Sequence, residues 1–152
     1  MALNIVLVNP EIPQNTGNIS RTCVVTGSTL HIIKPMGFSL DEKQIRRAGL
    51  DYWPDLNLKV YENIEIFMAQ HGGAQMHFFT TKTAKRFDEA TYSDNCFLLF
   101  GCETKGLPER LRDPERSVRI PMLGGQRCLN LSNAVCVAAY EALRQNGYQD
   151  LI

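Results

Sequence analysis

The stretch LNIVLVNPEIPQNTGNISRTCVVTGSTLHIIKP, Leu3 to Pro35, decides the fold class. Leu3 to Val8 is apolar and rich in β-branched residues and stops at Asn9-Pro10, the pattern of a buried strand followed by a turn. Asn15 and Thr16 offer side-chain oxygens for a helix cap, Ile19, Cys23 and Val24 share one face, and Gly27 marks a stop. A helix over 17–26 follows, with Arg21 projecting from its early turns. Thr29 to Ile33 then reads as a second strand, ended by Lys34-Pro35.

Working outward, the same alternation repeats. Asp41 to Ala48 reads as a short basic helix ended by Gly49, and Leu58 to Tyr61 as a weak strand. Ile64, Phe67 and Met68 stand at helical spacing before Gly72-Gly73, and Met76 to Thr80 gives another strand. Cys96 to Phe100 is a continuous apolar strand ending at Gly101, and Ser117 to Pro121 is a shorter one. The last element is a helix: Val135, Ala138, Ala139, Ala142 and Leu143 follow the spacing of one buried stripe, with Ser132 as the cap candidate and Gly147 as the stop. Strands alternating with helices predict an α/β fold, a mostly parallel sheet covered by helices on both faces. With 152 residues and no linker, repeat or low-complexity tract, one domain over 1–152 is expected. Ligands of such sheets gather beyond the carboxyl ends of the strands, which here means the loops after Thr80, Phe100 and Ile120.

Composition excludes several classes. Sixteen Lys plus Arg balance sixteen Asp plus Glu, so any nucleic-acid site must be a local patch. Five cysteines, an odd number without a C-x-x-C pair, read as reduced thiols and not as a disulfide framework. His31, His71 and His77 lack ligand spacing, so no metal is expected. No apolar run reaches the roughly 20 residues of a membrane span, and the amino-terminal stretch lacks the basic leader of a signal peptide. A cytoplasmic location without a membrane partner is expected.

The loops then narrow the chemistry. FGCETKGLP, Phe100 to Pro108, spaces two glycines like a phosphate loop but follows Gly106 with Leu107-Pro108 where a lysine and a hydroxyl residue would be needed. No G-x-G-x-x-G follows the first strand and no G-x-S-x-G elbow is present. What remains is polar residues at strand ends: Asn15, Asn18 and Arg21, then Glu103, then Arg127, Asn130, Ser132 and Asn133. They are mixed with glycines and with apolar Ile120, Met122, Leu129 and Leu131, the mixture that lines small-molecule pockets.

NTGNISR (15–21), FGCETKGLP (100–108) and IPMLGGQRCLNLSNAV (120–135) resemble, in order and spacing, the three motifs of the SPOUT-class RNA ribose methyltransferases. GFSLDEKQIRRAGLDYW and YEALRQNGY are similar to the small single-domain members that modify the wobble nucleotide of tRNA, so the resemblance spans essentially the whole chain. It implies a carboxy-terminal trefoil knot, a homodimer, S-adenosyl-L-methionine as methyl donor, and a tRNA anticodon loop as partner. Cofactor contacts carry over to Phe79, Gly101, Ile120 and Cys128, with Met122 and Leu129 beside them. Cys128 stands where relatives usually have serine, which puts a side-chain hydrogen bond at that position in doubt.

The resemblance implies that Arg21 orients the ribose and stabilises developing alkoxide charge, since a guanidinium stays protonated. Glu103, Asn130 and Ser132 shape the pocket or relay the proton, unranked, and Glu103 and Asn130 serve equally well as capping residues. Asn15, Arg46, Arg47 and Asn133 are candidate substrate contacts, and Tyr52 and Trp53 are candidates for stacking on splayed bases. Lys82, Lys85 and Arg86 join Arg46 and Arg47 as a solvated face by composition and as an RNA patch by resemblance. Methylation at another RNA position, a cofactor-binding module without catalysis, and a flavodoxin-like nucleotide binder stay open as alternatives.

Overall fold

The computed structural model describes residues 2–41 and 52–152. The predicted helix over Asp41 to Ala48, with Arg46 and Arg47, therefore lies outside the described residues but for Asp41. Six strands form one sheet: β1 (Asn4–Val8), β2 (Thr29–Ile33), β3 (Leu58–Tyr61), β4 (Met76–Phe79), β5 (Phe97–Phe100) and β6 (Ser117–Val118), in the order β3-β2-β1-β5-β4-β6. Every neighbouring pair is parallel. Among the described residues there are three α-helices, α1 (Pro13–Thr26), α2 (Ile64–His71) and α3 (Leu131–Gln145), and three short 3-10 turns.

Both faces of strands β1, β2, β4 and β5 are buried, as continuous apolar strands require, while edge strand β3 is largely exposed. In β1, Ile5 and Leu7 join a cluster with Ile19 and Cys23 of α1 and Val135, Ala138 and Leu143 of α3, while Val6 and Val8 point into a second cluster with Phe67, Phe78 and Leu99. Alternation along a single strand thus divides the core between two layers. On the second layer a chain of polar rings runs from Asn4 Oδ1 to His31 Nε2, from His31 Nδ1 to the Tyr61 hydroxyl, and from that hydroxyl to His71 Nε2, each step at 3.0 Å. Burial first, then the neighbouring charges of His71 and Lys59, push the His31 pKa down to about 3.

Three local expectations need correction. The first helix begins at Pro13, not 17, with proline in its first turn, and Asn15 and Thr16 are buried inside it instead of capping it. Asn130, not Ser132, caps α3: its Oδ1 accepts from the backbone N–H of Ser132 and Asn133. The strand expected over Ser117 to Pro121 stops at Val118, because the chain turns away after Arg119 bridges to Arg86.

The order of strands places the site. Connections from β1 run outward through β2 to β3, and those on the other side fill positions beyond β5, so β1 and β5 flank the reversal point where α/β sheets open a crevice. After edge strand β6 the chain returns to lay α3 against α1 and β5.

Candidate active site

The carboxyl ends of β4, β5 and β6 and the returning segment 120–131 enclose a cleft of about 920 Å³. Phe79 and Phe100, the last residues of adjacent strands, stack with centroids 4.6 Å apart and form an apolar wall. All six predicted cofactor residues, Phe79, Gly101, Ile120, Met122, Cys128 and Leu129, line this cleft. Gly101 is dictated by packing: a Cβ there would lie 1.9 Å from the carbonyl carbon of Gly106 and 2.0 Å from the nitrogen of Leu107. The loop 101–107 folds back on itself, Gly106 N–H donating to the Cys102 carbonyl at 2.9 Å with Gly106 at φ +68.

A polar network fastens this loop to both helices. Glu103 Oε2 accepts from the backbone N–H of Glu11 at 2.8 Å, and Oε1 accepts from the N–H of Ile12 at 3.1 Å and from Asn15 Nδ2 at 3.3 Å. Glu11 returns the contact, its Oε1 accepting from Thr104 N–H at 3.2 Å and from the Thr104 hydroxyl at 2.7 Å. Hydrogen bonds from the Cys102 thiol and then from Thr104 hold the Glu11 carboxyl below the ordinary glutamate range. Asn15 Oδ1 accepts from Asn130 Nδ2 at 3.0 Å, and Asn130 Oδ1 accepts from the Ser132 hydroxyl at 2.6 Å. Glu103, Asn15, Asn130 and Ser132 are thereby joined in one chain of bonds, which also fixes the Asn15 amide, nitrogen toward the carboxylate and oxygen toward Asn130.

The other predicted residues divide. Arg21 is exposed on α1 and does not line the cleft; its guanidinium lies 5.6 Å from the centroid of the Tyr52 ring. Tyr52 donates its hydroxyl to the Gly17 carbonyl at 2.6 Å. Trp53 is half-buried in a single 3-10 turn, and Asn133 is exposed in the first turn of α3; neither lines the cleft. Lys82 and Arg127 sit on the cleft wall, whereas Arg86 is paired with Asp88. Sequence reasoning missed Glu11, Arg112 and Arg119. Arg119 adjoins Ile120 and could have been read with it, but Arg112 and Glu11 carry no spacing signal. Among the described residues no cluster of acidic, thiol or imidazole groups could hold a metal ion.

The cleft opens at the carboxyl ends of a parallel sheet and has apolar walls with cationic residues around them; fold and site define an α/β enzyme with a small-molecule cleft. The sequence profile of the SpoU rRNA methylase family matches residues 2–140, and the chain belongs to that family. It is 49% identical over 148 residues to the tRNA (cytidine(34)-2'-O)-methyltransferase of Methylovorus glucosotrophus (strain SIP3-4), covering 95% of this chain and 96% of that protein. The protein of the same name from Escherichia coli (strain K12) is 47% identical over 149 residues, with 96% and 95% covered. A solved structure concerned with the 2-OH methylation of C/U34 on tRNA superposes with a TM-score of 0.89 at 43% identity, covering 97% of this chain and 98% of that one. The fold alone is shared with the SpoU methyltransferase AviRb from Streptomyces viridochromogenes, solved in complex with AdoMet, at a TM-score of 0.81 and 24% identity, covering 94% of this chain and 57% of that one.

Proposed function

We propose that this chain transfers a methyl group from S-adenosyl-L-methionine to the ribose 2′-hydroxyl of the wobble nucleotide, a cytidine or uridine, in the tRNA anticodon loop. The observation that carries this reading is the meeting of Phe79, Gly101, Ile120, Met122, Cys128 and Leu129 in one cleft, in a chain of this family. The residues fit the donor. Phe79, Ile120, Met122 and Leu129 offer an apolar slot for a flat adenine, and the backbone of 120–130, outside any regular element, offers donors and acceptors. When bound, the donor supplies an electrophilic methyl on a sulfonium.

The chain's own residues supply placement and charge. Arg21 orients the ribose and offsets the negative charge that develops on its 2′-oxygen. Glu103 and Asn130 act as positioning residues, since the three donors on the Glu103 carboxylate and the cap bonds on Asn130 already occupy them. Lys82, Arg119 and Arg127 supply the local positive patch that a neutral chain needs to hold RNA phosphates. Arg46, Arg47, Trp53 and Asn133 complete the substrate contacts in this reading.

Because Arg21 stands outside the cleft of its own subunit, a homodimer that brings it to the partner's cleft completes the site. Exposed Val25 of α1 and Val137 and Tyr140 of α3 support pairing through these two adjoining helices. The return of the chain from β6 past the ends of β4 and β5 supports threading of the carboxy-terminal segment as a trefoil knot. A single domain over 1–152 and a cytoplasmic location accord with this reading.

The decisive experiment incubates the protein with labelled S-adenosylmethionine and total tRNA, then maps the label by nuclease digestion and mass spectrometry. A 2′-O-methylated nucleotide at the wobble position is expected; a base methyl, or a label elsewhere in the RNA, overturns the reading. Binding of S-adenosylhomocysteine in a calorimeter without methyl incorporation would identify a silent binder. Mixing Arg21→Ala subunits with Leu129→Arg subunits, whose substitution lies in the cleft and away from the loop that holds α1, should restore activity, because each hybrid dimer retains one intact site; no restoration overturns the cross-subunit reading.

A further inference from the structure

Two contacts of Tyr52 reach α1. Its hydroxyl donates to the carbonyl of Gly17 at 2.6 Å. Gly17 lies one helical turn before Arg21, so this carbonyl is the one that also receives the Arg21 backbone N–H in the helix ladder. The ring carries the guanidinium of Arg21 at 5.6 Å from its centroid, inside cation–π range. One aromatic residue therefore holds both the backbone turn and the side-chain head of Arg21, through a bond at the phenol and a contact at the ring.

We propose that Tyr52 is a positioning residue for Arg21, not a platform for a nucleobase: it aims the guanidinium of Arg21 at the ribose hydroxyl accepted by the site. Three physical points support it. An arginine alone on an exposed helix surface samples many rotamers, and the planar guanidinium loses least freedom when a flat ring fixes its plane. The ring face under Arg21 is occupied, so a base stacking there would displace the group that the reaction needs. The phenol anchors the ring at its far end, which keeps the face from swinging away when RNA binds. The inference rests on the reading of Arg21 as the ribose-orienting residue, and the test separates failure of that reading from failure of this one.

The test is a double-mutant cycle in the full-length protein, with S-adenosylmethionine and tRNA as substrates and thermal melting and S-adenosylhomocysteine binding to certify folding. Tyr52→Leu should lower kcat about three- to fivefold, the size of an exposed cation–π contact, with KM for tRNA unchanged. Tyr52→Phe, which keeps the π face but not the phenol anchor, should fall between Tyr52→Leu and the unsubstituted protein. In an Arg21→Ala background Tyr52→Leu should cost nothing further. The Arg21 Nε–H resonance should move on Tyr52→Leu, reporting loss of the ring-current environment independently of activity. Equal rises of KM for tRNA in both backgrounds would assign Tyr52 to base stacking and overturn the proposal. Full activity in Arg21→Ala itself would overturn the reading of Arg21, and the positioning role with it.

Discussion

Helices α1 and α3 lie side by side, and both begin at the cleft, but they are started by opposite means. Asn130 caps α3 from the adjacent position, with side-chain oxygen bonds to Ser132 N–H at 2.9 Å and Asn133 N–H at 3.4 Å. Ile12 occupies the same position in α1 and has no side-chain cap; the anion there is Glu103, which reaches Glu11 and Ile12 from 92 and 91 residues away. A carboxylate at a helix amino terminus is favoured by the dipole whichever part of the chain supplies it. The difference teaches that α3 begins by local chemistry, whereas the start of α1 is conditional on the loop after β5 being in place. The element that carries Arg21 is thereby coupled to the loop that lines the cleft.

Gly101→Ala should have the largest effect. With its Cβ inside the Gly106 and Leu107 backbone, the loop must shift, carrying Glu103 off α1, at about 3 kcal/mol or more; calorimetric unfolding should show the largest fall in Tm of these variants, with loss of S-adenosylhomocysteine binding. Glu103→Ala should cost about 2 kcal/mol by denaturant melts, since backbone donors lose a charged acceptor. Its rate should fall through Arg21 placement while cofactor affinity changes less; a loss confined to cofactor affinity would contradict the coupling.

Asn130→Ala should cost about 1 kcal/mol, the ordinary value of a local cap. Asn130→Asp sharpens the contrast, for it retains the cap oxygen but has no donor for Asn15, and should melt near the unsubstituted protein while losing rate. The smallest effect is a pH dependence. Glu11 has its pKa lowered below the ordinary 4.5 by Cys102 and Thr104, so its stabilising contribution is present above pH 4.5 and is lost as pH falls through the folded-state value. In Glu11→Gln the melting temperature should fall less steeply below pH 4.5 than in the unsubstituted protein.

Strand positions were legible because apolar, β-branched runs report burial directly: Thr29–Ile33 and Leu58–Tyr61 match their strands end to end. That Phe79, Gly101, Ile120, Met122, Cys128 and Leu129 line one cleft was legible through motif resemblance, since five of them fall in two short stretches. The start of α1 was not, because the side chain that stabilises it is remote, and Asn15 and Thr16 looked like caps while serving as buried members of the first turns. Glu103 as an acceptor for three donors was equally hidden: its charge can be read from the sequence, but its partners cannot.

From neighbouring residues alone came the alternation of strands and helices, the parallel sheet, and the stretches that line the cleft, because periodicity and local motifs are properties of neighbouring residues. Tertiary structure alone decided that Glu103 holds the backbone of Glu11 while Glu11 holds that of Thr104, that Asn15 ties this clasp to Asn130, and that Tyr52 lies under Arg21. Each of these contacts joins residues far apart in the chain, and hydrogen bonds and ring contacts depend on distances of a few ångströms that only the folded sheet imposes.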